Sequence, residues 1–279
     1  MMNGQTGRKS RRIILAFHKV DPRFEWGLTR VTPRQFRNIL ESLGRHGIRV
    51  VPLEEDEGSQ EGMRETGASV VLSFDDSYES LYEHAFPLMK ERAYPGIVFV
   101  VTGHVGRLNT WDVNLGWRTF RHLSWEQMRE MMQAGFQFGS HTVHHPDLTR
   151  ADDRTIRREL ETSKKDLEDH LGAPVGYISY PFGRFNRRVV EISRQCGYRN
   201  GCAFWNRIGW MREPYVLERK AVYLLDGRFG LDAKVNRRPW SFMENIKLRL
   251  INFGSHGTAM VKGLKHPSHP DPDGPRRSF

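Results

Sequence analysis

The chain reads as one α/β domain, a closed or nearly closed (β/α) barrel of about seven parallel strands. Three observations carry that expectation. Short apolar runs alternate with helical periodicities along most of the 279 residues. The runs are continuous and β-branched, as in strands buried on both faces. About seven βα units fit this length with short right-handed crossovers, whereas a doubly wound open sheet is the architectural alternative.

The elements follow in order. RIILAF (12–17) is the first strand. TPRQFRNILESLGRHG (32–47) is a helix with Thr32 as its cap, Pro33 at its first position and Gly47 as its stop. IRVVPL (48–53) is a strand, followed by a Glu- and Gly-rich loop to about Gly67. ASVVLSF (68–74) is β-branched and continuous, as expected of a strand buried on both faces. A helix over 78–93 leads to GIVFVV (96–101). A long loop with Gly, Asn and Trp covers 102–122, then a helix over 124–134 precedes FQFGS (136–140). The stretch 152–172 has a 3.6-residue apolar rhythm between Asp152 and Gly172. VGYISY (175–180), a helix over 186–196 and NGCAF (200–204) complete the alternation, which stops beyond residue 205.

The expected organisation is a flexible N-terminus (1–10), a barrel domain (11–230), a basic amphipathic segment (231–254) and a disordered Pro-, Gly- and His-rich tail (255–279). The amphipathic segment packs on the barrel or lies on a membrane surface. With 38% hydrophobic and 27% charged residues, the composition is that of an ordinary globular protein. A formal charge of +10 favours anionic partners, but there is no recognisable nucleic-acid module, so no specific nucleic acid is expected. Cys196 and Cys202 are too few for a disulfide framework and read as buried thiols. The five apolar residues after the basic N-terminal stretch are too few for a signal peptide, and no run reaches the length of a membrane span. A cytoplasmic location is therefore expected.

Barrel chemistry sits at the C-terminal ends of strands, and three distinctive clusters fall there. Asp75-Asp76 follows VVLSF, SHTVHHPDL (140–148) follows FQFG, and SYPFGRF (179–185) closes VGYI. His141 and His145 are four apart, so one helical turn would aim both the same way. With one aspartate they make a two-histidine, one-carboxylate set suited to a divalent ion with open positions. Capping and surface histidines are the alternative.

SFDDSY, HTVHHPDL and SYPFG, in this order and spacing, resemble the polysaccharide deacetylases of carbohydrate esterase family 4, across roughly residues 10–225. The resemblance implies the distorted (β/α) barrel of the NodB type. It also implies a metal-dependent N-deacetylase that removes acetyl groups from an N-acetylated amino sugar. Asp75 matches the family's general base, and Asp76, His141 and His145 match its metal ligands. Thr142 fills the Ser/Thr position of the histidine motif, and His144 falls at a variable one. Phe182 matches the residue whose backbone N–H helps form the oxyanion hole, flanked by Tyr180, Pro181 and Gly183 as substrate-binding positions. The implied cofactor is one divalent ion, zinc first, with cobalt, nickel or another first-row metal as alternatives.

The opening FHKVDP resembles a circularly permuted subgroup, the de-N-acetylases of poly-N-acetylglucosamine, and makes His18 the candidate general acid. Two departures stand out. Ser179 occupies the place of an arginine that orients the catalytic aspartate, and YVLERKAV (215–222) offers Arg219 in its stead. Ser77 replaces the usual glycine of the first motif, which is tolerable in a turn that needs no positive φ. The expected substrate is an N-acetylated glycan or a lipid- or nucleotide-linked sugar, with peripheral membrane-surface contact. A related C–N hydrolase of small amides and a non-catalytic carbohydrate-binding barrel are the competing functions.

Overall fold

The computed structural model describes residues 11–24, 29–54, 68–109, 119–204 and 213–223. The expected N-terminal extension (1–10), amphipathic segment (231–254) and tail (255–279) lie outside the described residues. Along the chain, β1 (Arg11–Phe17) is followed by the short strands β2 (Lys19–Val20) and β3 (Arg30–Val31), which pair with each other as a separate two-stranded sheet. Then come α1 (Pro33–Arg45), β4 (Arg49–Val50), β5 (Ala68–Phe74), α2 (Phe86–Lys90), β6 (Ile97–Val100), α3 (Trp125–Gln133) and β7 (Gln137–Ser140). The series ends with α4 (Asp153–Leu171), β8 (Tyr177–Ser179), α5 (Arg187–Gln195), β9 (Asn200–Phe204) and β10 (Val216–Ala221).

All pairings between the barrel strands are parallel, in the order β1-β10-β9-β8-β7-β6-β5, and β5 pairs back onto β1 to close a seven-stranded barrel. The closing seam is the longest, running in register from Arg11 opposite Ala68 to Phe17 opposite Phe74. β4 is an eighth, splayed strand. It pairs with Ser69 and Val70, below the point where β6 joins β5 at Ser73 and Phe74.

The period-2 alternation of a strand explains the two-layered core. Ile13, Leu15 and Phe17 of β1, Val70, Leu72 and Phe74 of β5, and Val98 and Val100 of β6 face the helices and join the main core. Their neighbours Ile14, Val71, Ile97 and Phe99 turn into the lumen, where they meet Cys202 and Val51 and Leu53 from the segment after β4. Phe99 fills so much of the lumen that a Cβ at Gly139 on β7 would lie 2.6 Å from its ring, which requires glycine there. Cys196 and Cys202 are buried free thiols, pushed up by burial to about 11 and about 12.

Local signals define most helices. Thr32 and Ser124 each form a reciprocal capping box, with Gln35 and Gln127, and Asp152 and Asn186 cap α4 and α5. Several elements differ from the sequence expectation: β2 and β3 were not foreseen, and β4 covers only Arg49–Val50 of the strand expected over 48–53. The helix expected over 78–93 is a π-helical turn (Leu81–Ala85) followed by α2, because Pro87 lacks the N–H that would continue a regular ladder. β10 was not foreseen: its pattern mixes buried Val216, Arg219 and Ala221 with exposed Glu218, which carries no apolar run to recognise.

No helix among the described residues is long and apolar enough to cross a membrane.

Candidate active site

The site lies at the C-terminal ends of β1, β5, β7 and β8. Lumen-facing parity on β5 runs Val71, Ser73, Asp75, so Asp75 stands at the top of the barrel interior. Its N–H donates to the Phe17 carbonyl at 2.8 Å, which prolongs the β1–β5 ladder by one bond. Arg219 on β10 is paired with lumen-facing Ile14 and therefore points inward too. It is 0% exposed, stacked between Phe99 and Phe204 at 5.1 and 5.0 Å from their ring centres.

Its guanidinium clamps Asp75 with both ends, Nη1 to Oδ1 at 2.7 Å and Nη2 to Oδ2 at 2.9 Å. Nη2 also donates to Ser179 Oγ at 2.7 Å. The serine at the family's arginine position is thus a landing point for the arginine that replaces it. Burial pushes the Asp75 carboxyl up, but the Arg219 charge, with that of His141, outweighs it and holds the group below the usual carboxylate range.

Asp76 leaves the strand with φ 66 and Ser77 follows with φ 51. This corrects the sequence expectation for Ser77: the turn does need positive φ, the conformation in which glycine is favoured. Among the described residues six non-glycines have positive φ, and five of them, Asp76, Ser77, Thr142, His145 and Phe182, are in this site. Such conformations cost on the order of 1 kcal/mol each and persist where the surroundings over-determine them. They also correct the view of His141 and His145 as residues of one helical turn. Thr142 at φ 68 breaks any helix, and a loop closed by Thr142 Oγ1, which accepts from His145 N at 2.9 Å, aims the two rings together.

His141 Nδ1 lies 2.7 Å from the Ser179 carbonyl. A carbonyl only accepts, so Nδ1 carries a proton and Nε2 is the ring nitrogen turned inward. The His141 and His145 Nε2 atoms approach to 3.2 Å, and Asp76 Oδ1 is 3.5 and 3.7 Å from them. Asp76 Oδ1 is buried without a hydrogen-bond partner. Three inward-facing donor atoms within 4.8 Å of one another, one an orphaned carboxylate oxygen, fit a single divalent cation. Burial pushes the Asp76 carboxyl up, yet His141 and the charges of His145 and His18 hold it below the carboxylate range.

His18 follows β1, half-buried, its ring stacked on Phe204 at 6.2 Å. Phe182 (φ 58) lies edge-on to the His145 ring at 4.7 Å. The expectation that Tyr180, Pro181 and Gly183 touch substrate does not hold for the tyrosine side chain. Tyr180 is fully buried, its hydroxyl donates to Ser193 on α5, and a Cβ at Gly201 would lie 2.3 Å from its ring. Pro181 and Gly183 are buried as well. All three shape the turn that presents Phe182. An Arg184–Asp147 ion pair at 2.5 Å ties that turn to the histidine loop.

Two supporting residues escaped the sequence reading. Glu159 on α4 accepts from Val143 N, His144 N and His144 Nδ1 at 2.9, 2.9 and 2.7 Å, which pins the histidine loop and turns His144 outward. Its position on the buried stripe with Ile156, Leu160 and Ser163 was a readable signal. His122, whose Nδ1 reaches the Asp76 carbonyl, lies in an irregular segment that gave none.

Residues 63–201 match the sequence model of the family described as polysaccharide deacetylase. A poly-beta-1,6-N-acetyl-D-glucosamine N-deacetylase of Staphylococcus aureus is 27% identical over 201 residues, 69% of this chain and 62% of that protein. The match therefore spans less than two thirds of that relative. Among solved structures, the Streptococcus pyogenes deacetylase PplD in complex with acetate superposes with a TM-score of 0.67 at 25% identity, over 81% of this chain and 98% of that one. IcaB from Ammonifex degensii gives 0.65 at 28% identity, over 82% and 98%. With its NodB-type barrel and this constellation of aspartates and histidines, the chain belongs to the polysaccharide deacetylase family.

Proposed function

We propose that this protein is a metal-dependent N-deacetylase acting on N-acetylated amino sugars, with a β-1,6-linked N-acetylglucosamine polymer as the first substrate to try. The observation that carries the reading is the convergence of Asp76, His141 and His145 beside an Asp75 already ionised by Arg219. The name of the Staphylococcus aureus relative supports the choice of polymer. The basic charge of the chain keeps lipid- and nucleotide-linked acetylated sugars, and contact with an anionic membrane surface, as further partners within the same proposal.

Asp76, His141 and His145 would hold the cation, zinc before cobalt or nickel, which when bound supplies Lewis acidity and a more acidic water. Asp75 accepts a proton from the attacking water as general base. Arg219 keeps that carboxylate ionised and fixes its two oxygens. The water oxygen bonds to the acetyl carbon, and the backbone N–H of Phe182 donates to the oxygen on which negative charge develops. His18 protonates the amine nitrogen as the C–N bond breaks. Acetate and a free amino sugar leave.

The test is acetate release from acetylated β-1,6-glucosamine oligomers, lipid- and nucleotide-linked N-acetylglucosamine and small amides, with metal content measured in parallel. Activity on the oligomers that is lost on chelation and restored by zinc, cobalt or nickel is expected. Full activity after complete metal removal would overturn the reading, as would turnover confined to small amides.

A further inference from the structure

Residues 120–123 run back over the Asp76–Glu79 turn as a strap. Tyr78 and His122 form an antiparallel bridge. Leu123 N donates to the Ser77 carbonyl and Glu79 N to the Arg121 carbonyl, both at 2.8 Å. Beneath these main-chain bonds the His122 ring is fully buried and stacked on Tyr78 at 5.0 Å. Its Nδ1 lies 2.7 Å from the carbonyl oxygen of Asp76. Since a carbonyl only accepts, His122 Nδ1 is the donor.

The bond matters because of where it falls. β6 joins β5 only at Ser73 and Phe74, so among the described residues no strand offers an N–H to the Asp76 carbonyl. Asp76 and Ser77 both hold positive φ, and a buried carbonyl without a donor would relax toward ordinary backbone. That relaxation would swing the Asp76 Cβ and carry Oδ1 away from the two Nε2 atoms.

We propose that His122 is a positioning residue for the cation site: its Nδ1–H holds the Asp76 peptide in the left-handed turn that aims Oδ1 between His141 and His145. This rests on the metal-binding reading above and adds to it a residue outside the three sequence motifs. The imidazole acts through the main chain of the ligand, in the way that outer hydrogen bonds of metal sites fix ligand orientation.

The test uses two substitutions of opposite logic. In His122→Asn the side-chain amide nitrogen falls near the place of Nδ1 and keeps the donor. In His122→Gln it reaches toward the place of Nε2 and loses the bond, although more volume is kept. Zinc and cobalt affinities of the full chain are measured by chelator competition, with circular-dichroism melts of the metal-free proteins and the visible spectrum of the cobalt forms. The glutamine variant should bind metal at least about tenfold more weakly, with an altered cobalt spectrum. The asparagine variant should stay within about threefold of wild type.

A packing role predicts the reverse order, since glutamine fills the space better. Wild-type affinity in the glutamine variant, or an asparagine variant as weak as the glutamine one, would overturn the proposal while leaving the cation site standing. If the glutamine variant does not fold, the asparagine variant decides alone: a tenfold loss overturns, threefold or less supports. A wild type that binds neither ion overturns both readings.

Discussion

The lumen beneath Asp75 and the mouth around Asp76 hold adjacent carboxylates in opposite conditions. In the lumen the charge is answered by the protein: Arg219 meets both oxygens of Asp75, and aromatic rings and Ser179 fill the remaining space. At the mouth, Asp76 Oδ1 has no hydrogen-bond partner and faces the Nε2 atoms of His141 and His145 at 3.5 and 3.7 Å. One half is complete as folded, and in the proposed reading the other is completed by a cation. A base must keep its charge yet stay able to take a proton, whereas ligands must keep their lone pairs free, and two neighbouring residues can do both only if they point to different compartments.

Breaking the mouth should have the largest effect. His141→Ala is expected to abolish metal retention and lower acetate release at least about a thousandfold, as fits the several kcal/mol a cation supplies. Metal analysis of the purified variant, together with its turnover, checks this. Asp75→Asn should separate the two regions most clearly, with turnover down by about 10²–10⁴ while the metal stays bound. Loss of metal in that variant would mean that the two carboxylates share one task.

Breaking the lumen should show in stability. Arg219→Met leaves the buried Asp75 charge without its partner and should cost about 3–5 kcal/mol, read by urea unfolding of the metal-free protein. The same pair predicts an acid response. Because the folded Asp75 carboxyl lies below its unfolded value near 3.9, its contribution is fully present above that pH. It is lost as pH falls through the lower folded value. Wild-type stability should therefore drop below about pH 4, with a shallower drop in Arg219→Met; equal slopes would contradict the pairing. The smallest effect is expected for Ser77→Gly. It relieves a positive φ and removes a buried hydroxyl that lacks a partner, so it should raise stability by about 1 kcal/mol or less.

Much of this was legible in the sequence. β5 and β9 fall where the apolar runs place them, α1 starts after Thr32, and α4 runs between Asp152 and Gly172 as their terminal residues indicate. Asp76, His141 and His145 meet as their motifs imply, and Arg219 reaches Asp75. β10 was not legible, because a strand whose inward residue is an arginine has no apolar signature. Nor was the left-handed backbone of five non-glycine residues, since aspartate, serine, threonine, histidine and phenylalanine do not announce it. Tyr180 was assigned through its motif, which does not say which way the ring turns; in the fold the ring packs against Gly201 and its hydroxyl reaches Ser193.

By itself the sequence determined the βα alternation, the caps and the strand-end motifs, since period, capping chemistry and turn residues act over a few neighbours. Only the tertiary structure decided which charges are answered. Closing β5 onto β1 brought Arg219 across the lumen to Asp75, and folding residues 120–123 over the first motif put His122 on the Asp76 carbonyl. These contacts join residues 144 and 46 positions apart. No local preference specifies them, because each depends on which face of a strand or loop the closed barrel turns inward.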